Sequence, residues 1–148
     1  MAITLTVIFA AAVLIAAWLA KRARDRRLLE NHSITPEALQ QLLGSHEDIL
    51  IYDVRLPLDL LADSEIIPGA KRVAPKEIIE NPSLIEKERD AVVYCTCTSE
   101  KTSREILQRA LSLQFVRVKF LRGGLGAWKA KGYPVEPYTQ TFHLDSSN

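Results

Sequence analysis

The sequence has few of the residues that cross-link a small protein or bind a metal ion, and its net charge is close to zero. Of its 148 residues, 2 are cysteine, 3 are histidine and 6 are glycine, and the formal net charge is +1. Cys95 and Cys97 lie too close together for the disulfide framework of a small secreted domain. No second cysteine pair accompanies them and the histidines are scattered, so we expect no metal ion and no other cofactor. The near-zero net charge excludes a global basic field, and we expect no nucleic-acid partner.

The one long apolar run lies at the N-terminus. Residues 2–20 carry no charge, and at about 1.5 Å per residue they extend roughly 28 Å, the thickness of the bilayer core. Trp18 suits an anchor at the membrane interface. No Lys or Arg precedes the run, which disfavours a cleaved signal peptide. We therefore expect a retained transmembrane helix over residues 1–20, with the membrane as a partner through residues 2–20.

A basic cluster follows this apolar run at once. Residues 21–27 contain five basic side chains and one acidic residue, Asp25. Basic clusters of this kind stay on the cytoplasmic side of a membrane, which predicts a single-pass protein with its folded domain in the cytoplasm. We assign residues 21–32 to a basic juxtamembrane linker, 33–137 to the folded domain and 138–148 to a polar tail.

Within residues 33–137, apolar runs of strand length alternate with helical patterns. Strands are predicted over 49–54, 71–73, 91–94 and 116–120, helices over 34–43, 75–80, 82–87, 102–113 and 125–131, and an irregular segment over 56–65. Thr35 followed by Pro36 is a helix-start signal. The alternation predicts an α/β domain with a mainly parallel central sheet flanked by helices.

The chemistry of the sequence is concentrated after the predicted strand over residues 91–94. Cys95 follows that strand directly, and a polar loop then leads into the helix predicted over 102–113. Loop N–H groups and a helix N-terminus offer positive potential to a thiolate or a bound anion. A buried packing cysteine is the alternative, but the adjoining polar loop favours a nucleophile. The candidate substrate-binding residues of this loop are Thr96, Thr98, Ser99, Lys101, Thr102, Ser103 and Arg104.

Four segments, in order, resemble the rhodanese (sulfurtransferase) family. They are Tyr52–Arg55, Ile67–Ala70, Tyr94–Cys95 and residues 121–135, which include Leu121-Arg122-Gly123-Gly124-Leu125. The resemblance spans about residues 33–137 and implies a three-layer, rhodanese-like α/β fold. It also implies that a cysteine thiolate takes sulfane sulfur from a donor such as thiosulfate and holds it as a persulfide. The acceptor would be a thiophile: cyanide, a small thiol or a partner protein.

Three further residues of the resembling segments are expected to support the site. We expect Asp53 and Arg55 to brace the loop or to pair with each other, and Arg122 to shape a turn nearby. None of the three is expected to react.

The active-site loop departs from the family pattern. Rhodanese loops often carry an Arg after the cysteine and a Gly midway, whereas here Thr96 follows Cys95 and no Gly is present. Alignment from the preceding strand makes Cys95 the nucleophile, whereas alignment back from Ser103 makes it Cys97. We assign the catalytic role to Cys95 because the strand fixes its position, and Cys97 stays as the alternative.

Two other function classes fit the same fold. A phosphatase or arsenate reductase would need an Arg six positions after the cysteine for a bidentate grip on the oxyanion. Here the sixth residue after Cys95 is Lys101 and the sixth after Cys97 is Ser103, so this class is disfavoured. A non-catalytic module that binds partners or senses redox state through the two cysteines is also open.

Overall fold

A computed structural model describes residues 2–45, 48–96 and 108–140 of the protein. The chain divides into two compact units, Met1–Asn31 and His32–Asn148. The first unit is one helix, α1 (Ala2–Asn31). Large apolar side chains between Val7 and Leu19 are exposed, and the guanidinium of Arg22 lies 5.3 Å from the centre of the Trp18 ring.

The structure corrects the prediction for the N-terminal run. Among the residues described, no helix combines the length and the apolar character that crossing a bilayer requires. The predicted transmembrane helix over residues 1–20 is therefore not supported, and neither is the membrane contact through residues 2–20. The helix α1 continues past residue 20 without a break, and its second part is strongly basic. The cytoplasmic placement of the domain stays a prediction.

The second unit alternates strands with helices. The strands are β1 (Ser33–Ile34), β2 (Leu50–Asp53), β3 (Glu65–Ile66), β4 (Lys71–Arg72), β5 (Ala91–Tyr94), β6 (Val118–Leu121) and β7 (Glu136–Pro137). The helices are α2 (Pro36–Gly44), α3 (Pro57–Ala62), α4 (Pro75–Glu80), α5 (108–112) and α6 (Gly124–Ala130), with a 3-10 helix at Pro82–Leu84. The part of the helix predicted over 102–107 lies outside the described residues.

The central sheet confirms the predicted fold class. Its five strands run in the order β1-β6-β5-β2-β4, and each neighbouring pair is parallel. A separate antiparallel pair joins β3 to β7. The domain is thus α/β with a mainly parallel sheet, and β5 occupies the middle of that sheet. Because all five strands run the same way, the residues that follow them meet at one edge.

Helix-start signals explain where α2 begins, and tertiary packing explains α3. The Thr35 hydroxyl accepts a hydrogen bond from Ala38 N at 3.2 Å, which caps α2 as predicted.

The prediction of an irregular segment over 56–65 is wrong, because Pro57 begins α3 and Leu60 within it is fully buried. A helix this short shows no clear periodicity in the sequence, so its burial decides the conformation. The prediction of a helix over 82–87 is also wrong, because the structure has only a 3-10 helix there, at Pro82–Leu84.

The core forms where α2 and α6 cover one face of the sheet. Leu39 of α2 and Leu125 and Trp128 of α6 pack on Ile51 and Val92, and each is almost fully buried. Full burial of side chains of this size contributes about 1.5–3 kcal/mol each. The Trp128 indole N–H donates to the carbonyl of Pro134 at 2.8 Å, so its one polar atom is satisfied. This packing holds α6 firmly against the strand that precedes Cys95.

Candidate active site

Cys95 lies where the middle strand of the sheet ends. It follows Tyr94, the last residue of β5, and is 8% exposed. The carbonyl of Tyr94 accepts a hydrogen bond from Val54 N at 3.0 Å, which joins the ends of β5 and β2. A side chain at this point stands at the edge where ligands of parallel α/β sheets bind. The strand β5 therefore fixes the position of Cys95, which is the premise on which Cys95 was preferred to Cys97 as the nucleophile.

The start of α6 lies directly against the backbone of Cys95. Leu125 N donates to the carbonyl of Cys95 at 3.2 Å. Gly124 adopts φ +58°, and a Cβ added there would lie 1.9 Å from the Cys95 carbonyl oxygen. Only glycine permits both this left-handed backbone and this close approach. Gly124 therefore allows the start of α6 to lie against the carbonyl of Cys95, the candidate nucleophile.

Asp53 and Arg55 form a fully buried ion pair behind the site. The Arg55 Nη2 lies 2.6 Å from Asp53 Oδ2, and both side chains are 0% exposed. The same guanidinium donates to the carbonyls of Asp63 and Glu65, each at 2.8 Å. Burial alone would lower the pKa of Arg55, but the hydrogen bond and charge of Asp53 raise that pKa above its ordinary value. Arg55 therefore stays charged and ties β2 to the segment that leads into β3, which agrees with the expected pairing.

Tyr94 connects this ion pair to the strand that carries Cys95. Its hydroxyl donates to Asp53 Oδ2 at 3.2 Å and accepts from Ile67 N at 3.2 Å. Burial, with the charge of Asp53 adding to it, raises the pKa of Tyr94 well above its ordinary value. The phenol is therefore neutral and serves as a donor to Asp53. These two hydrogen bonds hold the side chain of Tyr94, the residue before Cys95, in place.

Arg122 directly follows β6, the neighbour of β5 in the sheet, and lies in the turn that leads into α6. Its Nη2 donates to the hydroxyl of Ser33 at 2.9 Å, and its backbone N donates to the carbonyl of Ile34 at 2.9 Å. These contacts join β6 to β1. Arg122 thus stabilises the outer side of the sheet.

One loop residue predicted to bind substrate is described by the structure. The hydroxyl oxygen of Thr96 is buried and makes no hydrogen bond within the described part of the chain. A buried hydroxyl without a partner carries a desolvation cost that a bound acceptor would offset. The predictions for Cys97, Thr98, Ser99, Lys101, Thr102, Ser103 and Arg104 lie outside the described residues.

The sequence reasoning missed two parts of the site. The contacts of the Tyr94 hydroxyl were not predicted, because the pattern of a strand in the sequence does not show which distant groups a tyrosine hydroxyl will contact. The contact between Leu125 N and the Cys95 carbonyl was also missed, although the adjacent glycine pair was a signal for a close backbone approach. In residues 2–45, 48–96 and 108–140, no group of three or more His, Cys, Asp or Glu side chains is arranged to hold a metal ion.

Comparison with known proteins gives consistent results. Residues 35–131 match the rhodanese-like domain family. A sulfurtransferase from Allochromatium vinosum is 34% identical over 104 residues, which are 70% of this chain and 94% of that protein. A full-length protein from Lactobacillus plantarum shares the fold with a TM-score of 0.66 and 21% identity, covering 80% of this chain and 98% of its own. A thiosulfate sulfurtransferase from Pseudomonas aeruginosa aligns with a TM-score of 0.57 and 25% identity, over 71% of this chain and 19% of that one.

Proposed function

This chain belongs to the family of rhodanese-like domains, and we propose that it is a sulfurtransferase that carries sulfane sulfur on Cys95. The observation that carries the proposal is the position of Cys95 at the end of the central strand, with its carbonyl held by Leu125 N. The similar protein from Allochromatium vinosum is named a sulfurtransferase. A fixed backbone presents the thiol to substrate without the cost of ordering the residue in each cycle.

The reaction has two displacements. With thiosulfate as donor, the Cys95 thiolate attacks the outer sulfur, a bond forms between Sγ and that sulfur, and sulfite leaves with the electron pair. A nucleophilic acceptor then attacks the same outer sulfur, the bond to Sγ breaks, and Cys95 returns to the thiolate. The acceptor is a small thiol, cyanide or a thiol on a partner protein. No outside oxidant or reductant is needed.

The groups near Cys95 suit a negatively charged intermediate. Thiolate, persulfide and sulfur oxyanions all require hydrogen-bond donors. Thr96 supplies a buried hydroxyl without a partner in the described residues. The nearby carboxylate of Asp53 is paired with Arg55, so its charge is compensated. These features support sulfur transfer and contrast with the bidentate Arg that an oxyanion phosphatase uses.

The test is mass spectrometry of the full chain after incubation with thiosulfate. We expect a mass increase of one sulfur atom on the peptide that contains Cys95. The Cys95→Ser variant should lose this increase, and Cys97→Ser is the matched control that should retain most of it. Loss with Cys97→Ser alone would move the nucleophile to Cys97. No adduct in the wild-type protein, with a folded domain by circular dichroism, would favour a non-catalytic binding module.

A further inference from the structure

Three leucines in and just before α3 are exposed to solvent. Leu56, Leu58 and Leu61, here called the leucine patch, are 55%, 70% and 61% exposed, whereas Leu60 is fully buried. A surface helix normally turns apolar side chains to the core and polar ones to water, but α3 carries leucines on its outward side as well. Leu58 and Leu61 are three residues apart and therefore lie on the same face of the helix. Single exposed apolar residues are ordinary, whereas a cluster of them marks an interaction surface.

The leucine patch starts at the edge of the sheet where Cys95 lies. The ladder between β2 and β5 ends at the pair Asp53 and Tyr94, and Val54 N donates to the carbonyl of Tyr94 at 3.0 Å. Neighbouring strands lie about 4.8 Å apart, and two further residues add at most about 7 Å. The backbone of Leu56 is therefore within roughly 12 Å of the backbone of Cys95.

The other end of α3 is joined to the helix that contacts Cys95. Lys129 of α6 forms an ion pair of 3.0 Å with Asp63, which directly follows α3. The start of α6 lies against Cys95, whose carbonyl accepts from Leu125 N. An ordinary protein–protein interface buries about 800 Å² on each partner, the area of a disc of roughly 16 Å radius. A folded partner that reaches Cys95 would therefore also cover the start of α3.

The charges beside the leucine patch are mainly negative. Asp59 of α3 forms none of the ion pairs found among the described residues. Asp63 and Glu65 share the ammonium group of Lys129, at 3.0 Å and 2.5 Å. Two copies of the chain that met through this patch would bring their Asp59 carboxylates together, which disfavours a symmetric dimer. A partner with Lys or Arg beside apolar side chains would complement the patch.

We propose that the leucine patch docks a protein that accepts sulfur from Cys95, and that this protein presents apolar and basic residues around its own cysteine. The inference rests on the proposed sulfur transfer and names the surface and the chemistry of its partner. In the transfer the partner's thiolate attacks the outer sulfur of the Cys95 persulfide and a new S–S bond forms. The bond from that sulfur to Sγ breaks, and Sγ keeps its electron pair as the thiolate.

The test uses peptides as sulfur acceptors for the full chain, with thiosulfate as donor. The main peptide has about eight residues, which extend roughly 25 Å, and carries one cysteine followed by alternating leucine and lysine. Two matched peptides have glutamate in place of lysine or serine in place of leucine. For the wild-type chain we expect the highest kcat/KM with the leucine–lysine peptide. Equal values for the three peptides would overturn the proposal.

Substitutions in the patch should remove this preference. With Leu58→Ser and Leu61→Ser combined, we expect kcat/KM for the leucine–lysine peptide to fall about tenfold and that for the serine peptide to stay unchanged. Asp59→Asn should narrow the preference for lysine over glutamate. Val116→Ser is the matched control, because Val116 is 66% exposed and precedes β6, at the end of the strand opposite to the site. An equal fall in Val116→Ser, or none in the double variant, would contradict docking at the patch.

Two further measurements separate this proposal from the proposed activity and from self-association. A fluorescent leucine–lysine peptide with serine in place of its cysteine cannot accept sulfur, and its anisotropy should report binding to the wild-type chain but not to the double variant. Binding in a chain that forms no persulfide would overturn the acceptor role and leave the docking surface. Persulfide formation without such binding would overturn the docking surface and leave the proposed activity intact. A mass in sedimentation equilibrium that falls in the double variant would assign the patch to a second copy of the chain and overturn the proposal.

Discussion

The carbonyl oxygen of Cys95 accepts a hydrogen bond from the backbone N–H of Leu125 at 3.2 Å. This bond joins the end of the central strand to the start of α6. Gly124, the first residue of α6, lies so close that a Cβ on it would overlap the same oxygen. The position of Cys95, the candidate nucleophile, is therefore set by a contact between two backbone segments that lie thirty residues apart in the chain.

Replacement of Gly124 by alanine should disrupt this contact. The new Cβ would be 1.9 Å from the Cys95 carbonyl oxygen, in a backbone with φ +58°. We expect the free energy of unfolding to fall by at least about 2 kcal/mol, from steric overlap and backbone strain together. Persulfide formation on Cys95 should fall as well. Urea unfolding and mass spectrometry after thiosulfate would measure the two effects.

Gly126→Ala is the matched control for that substitution. Gly126 lies in the same helix, and an added Cβ there would meet no atom within 4 Å. Because alanine is favoured over glycine inside a helix by about 1 kcal/mol, this variant should be as stable as the wild type or more so. A Gly124→Ala protein that matched Gly126→Ala in stability and in persulfide formation would contradict the role of the close approach.

Removal of the Tyr94 hydroxyl should lower the free energy of unfolding of the domain. Tyr94→Phe deletes the donor to Asp53 and leaves the buried N–H of Ile67 without its acceptor. We expect a loss of about 1–3 kcal/mol in the free energy of unfolding, measured by urea denaturation. Tyr52→Phe is the control, since that hydroxyl accepts one long bond of 3.4 Å from Glu86 N. Equal losses in the two variants would show that the hydrogen bonds of Tyr94 to Asp53 and Ile67 contribute no more to the free energy of unfolding than the single bond of Tyr52 does.

Arg55→Lys should show that the buried ion pair depends on the guanidinium. A lysine keeps the charge but cannot contact Asp53 while also donating to the carbonyls of Asp63 and Glu65. Disruption of a buried pair costs about 3–5 kcal/mol, so we expect a large drop in the unfolding midpoint in urea. The control is Arg117→Lys at the exposed pair with Asp90, where little change is expected. A small effect of Arg55→Lys would mean that an ion pair with Asp53 is enough to stabilise the domain without the hydrogen bonds to the carbonyls of Asp63 and Glu65.

The sequence predicted the fold class and the place of Cys95 at the end of a strand because both depend on local patterns. The apolar runs over 49–54 and 91–94 became β2 and β5, and Cys95 followed from the end of the second run. The helix α2 followed from Thr35 and Pro36, whose side chains act within one turn. Short elements were predicted less well, because α3 depends on the burial of Leu60 by distant residues.

The sequence by itself thus determined an α/β domain with a cysteine at the end of a strand, since side-chain periodicity and turn residues carry that information. Only the tertiary structure decided what surrounds the cysteine. The hydrogen bond from Leu125 to Cys95, the hydrogen bond from the Tyr94 hydroxyl to Asp53 and the polar cavity beside Arg72 all bring together segments far apart in the chain. Such contacts depend on how the strands are ordered in the sheet, and no local pattern encodes that order.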